Sequence, residues 1–127
     1  MKRKNIAVLL LSIIITGVFL TACDAEYFVG SRETTSNSYC LDIKRMDGTD
    51  THTLKLDAGD ILDIHFETAY GELNIEIKAP DGTLVYAGNG KEATDFTVNI
   101  SESGEYSVSV TAHSAEGVIH IKQKRHT

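Results

Sequence analysis

The alternating sequence around His65 places two carboxylates and an imidazole on one side of a predicted strand. Asp63, His65 and Glu67 are spaced two residues apart, and side chains at that spacing share one face of a β-strand. Carboxylate and imidazole groups are ligands of zinc and related ions. A zinc site needs converging ligands, however, and these neighbours project in parallel. We therefore expect a solvated face, and the sequence predicts no metal site.

Thr111 and His120 form a second candidate set, for nucleophilic catalysis. They become cross-strand neighbours if "SAEG" (114–117) makes a tight hairpin. An activated nucleophile also needs a nearby base, an orienting acid and an oxyanion hole. The sequence contains no nucleophile elbow, glycine-rich phosphate loop or His-Glu-x-x-His motif. No catalytic residue is predicted, and a hydrolase or metal-dependent enzyme is the least favoured interpretation.

Acidic turns and one cysteine complete the candidate groups. The segments "DGTD" (47–50) and "DAGD" (57–60) offer carboxylate pairs that suit calcium. Asp and Gly are also the usual residues of turns, so a turn role is favoured. Cys40 is predicted on the outer face of its strand, with a structural or incidental role rather than a reactive thiol. No cofactor is predicted.

The first 22 residues have the three parts of a secretory signal peptide. Lys2, Arg3 and Lys4 form a charged start, residues 6–20 are almost entirely apolar, and small residues precede Cys23. An uncleaved transmembrane helix is the alternative. A membrane-spanning helix needs roughly 20 apolar residues, and this run is shorter, so the cleaved signal is favoured.

The end of this signal, Leu20-Thr21-Ala22-Cys23, resembles the lipobox of bacterial lipoproteins. The resemblance implies that the Cys23 thiol receives a diacylglyceryl group, that a peptidase cuts before Cys23, and that the new amino terminus is acylated. Two acyl chains, at roughly 0.8 kcal/mol per buried methylene, hold a domain on a bilayer where one chain does so marginally. The expected location is the extracytoplasmic face of the cell membrane.

Cleavage would leave residues 23–127, enough for one domain. Loss of the three basic residues near the start takes the formal net charge from −6 to −9. That charge disfavours nucleic acid and direct adhesion to anionic lipid or wall polymer. With Cys23 lipidated, Cys40 is the remaining thiol, so a disulfide framework is excluded.

From residue 39 onward, apolar and polar residues alternate in nearly every segment, which is typical of strands with one buried face. Seven or eight such segments are separated by turn-like residues, among them "MDGTD" (46–50), "AYGE" (69–72) and "SAEG" (114–117). The "AYGE" turn would place Asn74, Glu76 and Lys78 outward on the strand next to the one that carries His65. One buried face per strand requires two facing sheets. The predicted fold is all-β, a single small antiparallel β-sandwich of jelly-roll type. The predicted organisation is a signal peptide (1–22), a lipidated cysteine with a flexible tether (23–38) and the sandwich (39–127).

Several of these segments resemble the bacterial pre-peptidase C-terminal domain. They are "LKLDAGDILDIHF" (54–66), "LNIEIKAPDGTLVY" (73–86), "FTVNISESGEYSVSV" (96–110) and "GVIHIK" (117–122). The resemblance implies a small jelly roll with an accessory role, such as binding matrix or carbohydrate or helping secretion and folding.

The expected function is a membrane-anchored, non-catalytic binding or accessory lipoprotein with an envelope protein or glycan as partner. A structural or assembly lipoprotein of a membrane complex is the alternative. Tyr27, Tyr70 and Tyr86 would stack sugars if exposed, although Tyr86 is in phase with Leu84 and is expected in the core. The absence of Trp weakens the case for a glycan partner.

Overall fold

The computed structural model describes residues 26–92 and 94–124. Within these ranges the chain forms six strands, β1 (Tyr27–Thr35), β2 (Ser38–Leu56), β3 (Ile61–Lys78), β4 (Leu84–Gly88), β5 (Asp95–Asn99) and β6 (Gly104–Lys124). All pairings are antiparallel, in the order β1–β2–β6–β3–β4, with β5 also paired to β3. No helix in this part of the chain is long and apolar enough to cross a membrane. The predicted signal peptide and Cys23 lie outside the described residues.

The three long strands, β2, β3 and β6, bend near their middles, and the bends lie side by side. The pairing register shifts between residues 43 and 48 of β2 and between 68 and 72 of β3. Met46 lies opposite Ala115 of β6, and Tyr70 lies opposite Glu116. Irregularities of this kind bend a strand and increase its twist. The three bends together form one end of the molecule, called here the bent end.

Because of these bends, the sheet divides into two half-sheets. The first half-sheet contains β1, β5 and residues 38–43, 61–68 and 117–124 of the long strands. The second contains β4 and residues 48–56, 72–78 and 104–112. The other end of the molecule, called the hairpin end, carries the β1–β2 turn and the turns after β2 and β5. These turns are joined by backbone hydrogen bonds, such as Lys55 N–H to the Ser36 carbonyl at 2.7 Å.

The two half-sheets pack face to face around one hydrophobic core. No described helix covers either half-sheet, so only the facing half-sheet can exclude water from its inner side chains. Those side chains are at most 5% exposed, and they include Tyr39, Leu41, Ile43, Leu62, Ile64, Phe66 and Ile119 from the first half-sheet and Leu54, Leu73, Ile75, Ile77, Tyr106, Val108 and Val110 from the second. Burial of an aliphatic side chain contributes about 1.5–3 kcal/mol. The predicted antiparallel β-sandwich is confirmed.

Three segments that the sequence predicted as turns are the bends. They are "MDGTD" (46–50), "AYGE" (69–72) and "SAEG" (114–117). Pairs of segments predicted as separate strands are therefore continuous, and the described part of the chain has six strands rather than seven or eight. Gly71 and Ser114 have positive φ angles of 70° and 44°, and a bulge uses such residues as readily as a turn does.

The flexible tether predicted over residues 23–38 is corrected by the structure for most of its length. Residues 27–35 form β1, which pairs with β2 from Tyr27–Asp47 to Thr35–Ser38. Eight of the nine residues of β1 are exposed and the ninth is only partly buried. Because β1 buries almost none of its side chains, its sequence does not alternate between apolar and polar residues. That alternation is the pattern from which the other strands were predicted.

Candidate binding face

The outer face of the first half-sheet gathers titratable side chains from four strands. We call it the histidine face and define it by Cys40, Asp42, His65, Glu67, Asp95 and His120. Four of these residues form one row across the strands, because Cys40 lies opposite His120, His120 opposite His65, and His65 opposite Asp95. Neighbouring strands are about 4.8 Å apart, so the row extends over roughly 14 Å.

Both histidines on this face are held by carboxylates. Asp95 Oδ1 lies 2.7 Å from His65 Nδ1, and Glu67 Oε2 lies 3.8 Å from His65 Nε2. Asp42 Oδ1 lies 3.1 Å from His120 Nε2. The two rings are 6.2 Å apart between centroids. The side chains of His65 and His120 are 37% and 38% exposed, so the pairs are open to water and contribute at most about 1 kcal/mol each to stability.

The exposed row Asp63, His65 and Glu67 was predicted as a solvated face, and the structure places it there. The prediction that Asn74, Glu76 and Lys78 lie on the neighbouring strand is wrong. They belong to the same strand, β3, beyond its bend, and lie on the outer face of the other half-sheet. Within the described ranges, no group of three or more His, Cys, Asp and Glu side chains is arranged to hold a metal ion.

The expected pairing of Thr111 with His120 is wrong. Residues 113–116 are a bend rather than a hairpin, so Thr111 and His120 lie on different half-sheets. Thr111 lies opposite Thr49 and Asn74, whereas His120 lies opposite Cys40 and His65. A nucleophile–base contact between them is excluded by this topology.

The outer face of the second half-sheet has a different chemistry. Two rows of hydroxyl side chains face each other there, because Thr49, Thr51 and Thr53 lie opposite Thr111, Ser109 and Ser107. Short hydroxyl side chains are frequent on exposed strands. This hydroxyl face, defined by these six residues, contains no histidine, and Glu76 and Lys78 of β3 lie beside it, opposite Ser109 and Ser107. It serves as the comparison for the histidine face.

An ion pair joins β1 to the second half of β2 along one open side of the sandwich. Arg32 Nε lies 2.9 Å from Asp50 Oδ2, and the same carboxylate accepts a hydrogen bond from the Tyr39 hydroxyl. The His52 ring stacks on Tyr39 at 5.4 Å. Burial, followed by the hydrogen bond to Asp50, raises the pKa of Tyr39 above its ordinary value. We call Arg32, Tyr39, Asp50 and His52 the Asp50 cluster. Because Tyr39 and Asp50 belong to different half-sheets, their hydrogen bond connects the two half-sheets.

A groove of about 240 Å³ lies next to this cluster. Its walls come from the start of β1 and from the bend and second half of β2, and they include Tyr27, Phe28, Met46 and Asp47. The groove is open to solvent at the bent end. Its lining mixes aromatic rings with carboxylates and does not bring a base to a nucleophile.

Three of the four carboxylates in the acidic segments weighed as calcium sites have protein partners. Asp47 accepts the Ser114 N–H at 2.7 Å, and Asp50 is paired with Arg32. Asp60 is 7% exposed. Its carboxylate accepts hydrogen bonds from the Asp57 backbone N–H, at 2.8 Å, and from the side-chain amide of Gln123. These carboxylates organise a bend, a strand pair and a turn.

The three tyrosines considered as sugar platforms differ in exposure. Tyr27 is 52% exposed and Tyr70 is 71% exposed. Tyr86 is partly buried and packs on Phe96 with 4.8 Å between ring centroids, whereas Leu84, which was expected to share its buried side, is 52% exposed. The two exposed rings lie at the bent end, away from the row of histidines.

Sequence reasoning did not foresee that His65 and His120 would be neighbours. The alternation in each strand predicts that both side chains point outward. It does not predict which residue of β6 lies opposite His65, because that register is set by contacts between residues far apart in the sequence.

No protein-family model matches this chain, and no curated protein matches it either.

Proposed function

We propose that this chain is a lipoprotein anchored through Cys23 on the extracytoplasmic face of the cell membrane, with a non-catalytic β-sandwich that binds an envelope protein. The observation that carries the proposal is the spacing between the two parts. The predicted signal peptide ends directly before Cys23, and the first strand of the domain begins four residues after this cysteine, at Tyr27. A lipid on Cys23 would therefore hold a folded domain directly at the membrane surface.

The histidine face is the surface that we propose for the partner. The defined residues hold three carboxylates and two histidines. Lys122 lies on the same outer face opposite Asp63 and adds a cation beside them. Carboxylates still outnumber it, so the face suits a partner with cationic groups. Its histidine–carboxylate contacts are open to water and add little to stability, which supports a role in recognition. A protein partner is favoured over a glycan because the face carries no Tyr, Phe or Trp on which sugar rings would stack.

Site-specific photocrosslinking in intact cells tests this proposal. The full chain would carry a photoreactive residue at Asp63, an exposed position two residues before His65, or at Ser109 on the hydroxyl face. Position 63 is expected to give one dominant protein adduct, identified by mass spectrometry, and position 109 is expected to give none. Equal adduct patterns at both positions, or no protein adduct at position 63, would contradict the proposal. The second result would favour an envelope glycan as the partner.

A further inference from the structure

The exposed large apolar side chains are concentrated at the bent end. Five such residues occur in the described part of the chain, and four of them, Tyr27, Phe28, Val29 and Tyr70, belong to the start of β1 or the bend of β3. The fifth, Leu84, lies opposite Lys78 next to the β3–β4 turn at the hairpin end. Four of the five exposed large apolar side chains of the described residues therefore lie at one end of the molecule, among charged residues such as Glu72 and Glu116.

The same end receives the chain that comes from the proposed anchor. Tyr27 lies opposite Asp47 and Phe28 lies opposite Met46, so β1 begins beside the bend of β2. From Cys23 to Tyr27 there are four residue steps, which reach at most about 14 Å when fully extended. The polar interface on each side of a bilayer is about 5–8 Å thick. A lipid on Cys23 thus keeps the apolar end within reach of that interface.

The side chains at this end suit a lipid interface in type as well as in position. Tyrosine has an apolar ring and a hydroxyl that stays hydrated, and it is enriched where bilayers meet water. The Arg45 guanidinium lies 6.0 Å from the centre of the Tyr27 ring, which adds a group able to contact lipid phosphates. Glu26, Glu72 and Glu116 at the same end disfavour anionic lipid, so the contact would be driven by apolar burial.

We propose that the bent end of the sandwich rests in the bilayer interface through Tyr27, Phe28, Val29 and Tyr70, so that the hairpin end points away from the membrane. This inference depends on the lipid anchor proposed above. In this orientation the two outer faces of the sandwich would be roughly perpendicular to the membrane plane, and both would be accessible to a neighbouring envelope protein.

The absence of Trp from the sequence makes a direct test available. Tyr70→Trp places a fluorescent reporter at the bent end, and Leu84→Trp places a second reporter at the hairpin end, where the wild-type side chain is 52% exposed. Each full chain, processed in cells, would be reconstituted into phosphatidylcholine vesicles brominated near the carboxyl end of the acyl chains. Flotation of the vesicles reports the anchor, and bromine quenching reports contact with the bilayer.

The expected result is that both variants float with the vesicles, that the emission of the Tyr70→Trp variant is quenched and shifted to the blue, and that the emission of the Leu84→Trp variant is unchanged. Flotation without quenching of the reporter at position 70 would overturn the orientation and leave the anchor intact. Equal quenching of both reporters would also overturn it, because the domain would then lie on its side. Failure to float would refute the anchor and, with it, this inference.

Discussion

At the scale of single residues, Tyr39 shows how the core and the open side of the sandwich are connected. Its ring is fully buried while its hydroxyl donates to Asp50, which is also paired with Arg32. Burial removes water from the phenol and so favours its neutral form, which raises its pKa. Tyr39 is therefore expected to make the free energy of unfolding depend on pH in the alkaline range.

Tyr39→Phe is expected to change how stability depends on pH above about 10. An unfolded tyrosine loses its proton near pH 10, whereas folded Tyr39 keeps it, so the unfolded state binds fewer protons there. The free energy of unfolding of the wild type therefore falls as pH rises through this range. The variant lacks this loss and has a shallower slope, although it is less stable at neutral pH by about 1 kcal/mol because a hydrogen bond is missing.

Urea unfolding from about pH 8 to 11 measures both quantities. Tyr70→Phe is the control, because the Tyr70 side chain is 71% exposed and its replacement should leave the pH dependence as it is. An unchanged slope for Tyr39→Phe would show that Tyr39 is not responsible for the alkaline loss.

Asp95→Asn separates recognition from stability on the histidine face. The Asp95 side chain is 77% exposed, so loss of its pair with His65 should lower the free energy of unfolding by less than about 1 kcal/mol. Under the proposed function, the same change should reduce the yield of the crosslinked adduct. Denaturant unfolding and adduct yield are the two measurements; a large loss of stability with unchanged capture would make Asp95 a structural residue.

At the scale of the elements, the bends decide the architecture. Gly71 has a φ of 70°, and a Cβ there would collide with the Ser114 carbonyl oxygen of the neighbouring bend. Glycine at this position lets β3 and β6 turn together at close range.

Gly71→Ala is expected to destabilise the domain by about 2 kcal/mol or more, since it adds a backbone collision to an unfavourable φ. Gly82→Ala is the matched control, with a φ of 89° but nothing within 4 Å of the added Cβ, and it should cost about 1 kcal/mol. Thermal and urea unfolding of both variants measure the difference. Equal losses would show that the close approach at the bend does not matter.

The sequence predicted the faces of the strands well and their connections less well. Leu62, Ile64 and Phe66 are buried as their alternation predicted, since inward and outward side chains follow from a local period of two. "AYGE" was predicted as a turn because Gly and positive φ are equally suited to a turn and a bulge. Only the register between distant strands separates the two, and the same register brings His65 beside His120.

At the scale of the whole molecule, the two half-sheets should behave as one cooperative unit because they share a single core. Ile64 and Ile75 provide a matched test, since they lie on the two halves of β3 and are each 1% exposed. Ile64→Ala and Ile75→Ala are each expected to lower the free energy of unfolding by about 2–5 kcal/mol. Both variants should keep one unfolding transition with coincident optical and hydrogen-exchange probes. A second transition in either variant would mean that a half-sheet unfolds alone.

The proposed function requires that the chain is attached to a membrane next to its first strand. In this proposal the lipid would hold the domain at the membrane, the bent end would face the bilayer, and the histidine face would be available to a neighbouring protein. Each of these steps requires processing at Cys23.

The most direct test is the intact mass of the protein extracted from the membranes of cells that produce it, followed by sequencing of its amino-terminal peptide. We expect a chain that begins at Cys23 and carries a diacylglyceryl group on the sulfur of that residue, and we expect a Cys23→Ser variant not to be acylated. A membrane-bound protein that begins at Met1, or a chain that begins after residue 22 without lipid, would contradict this expectation.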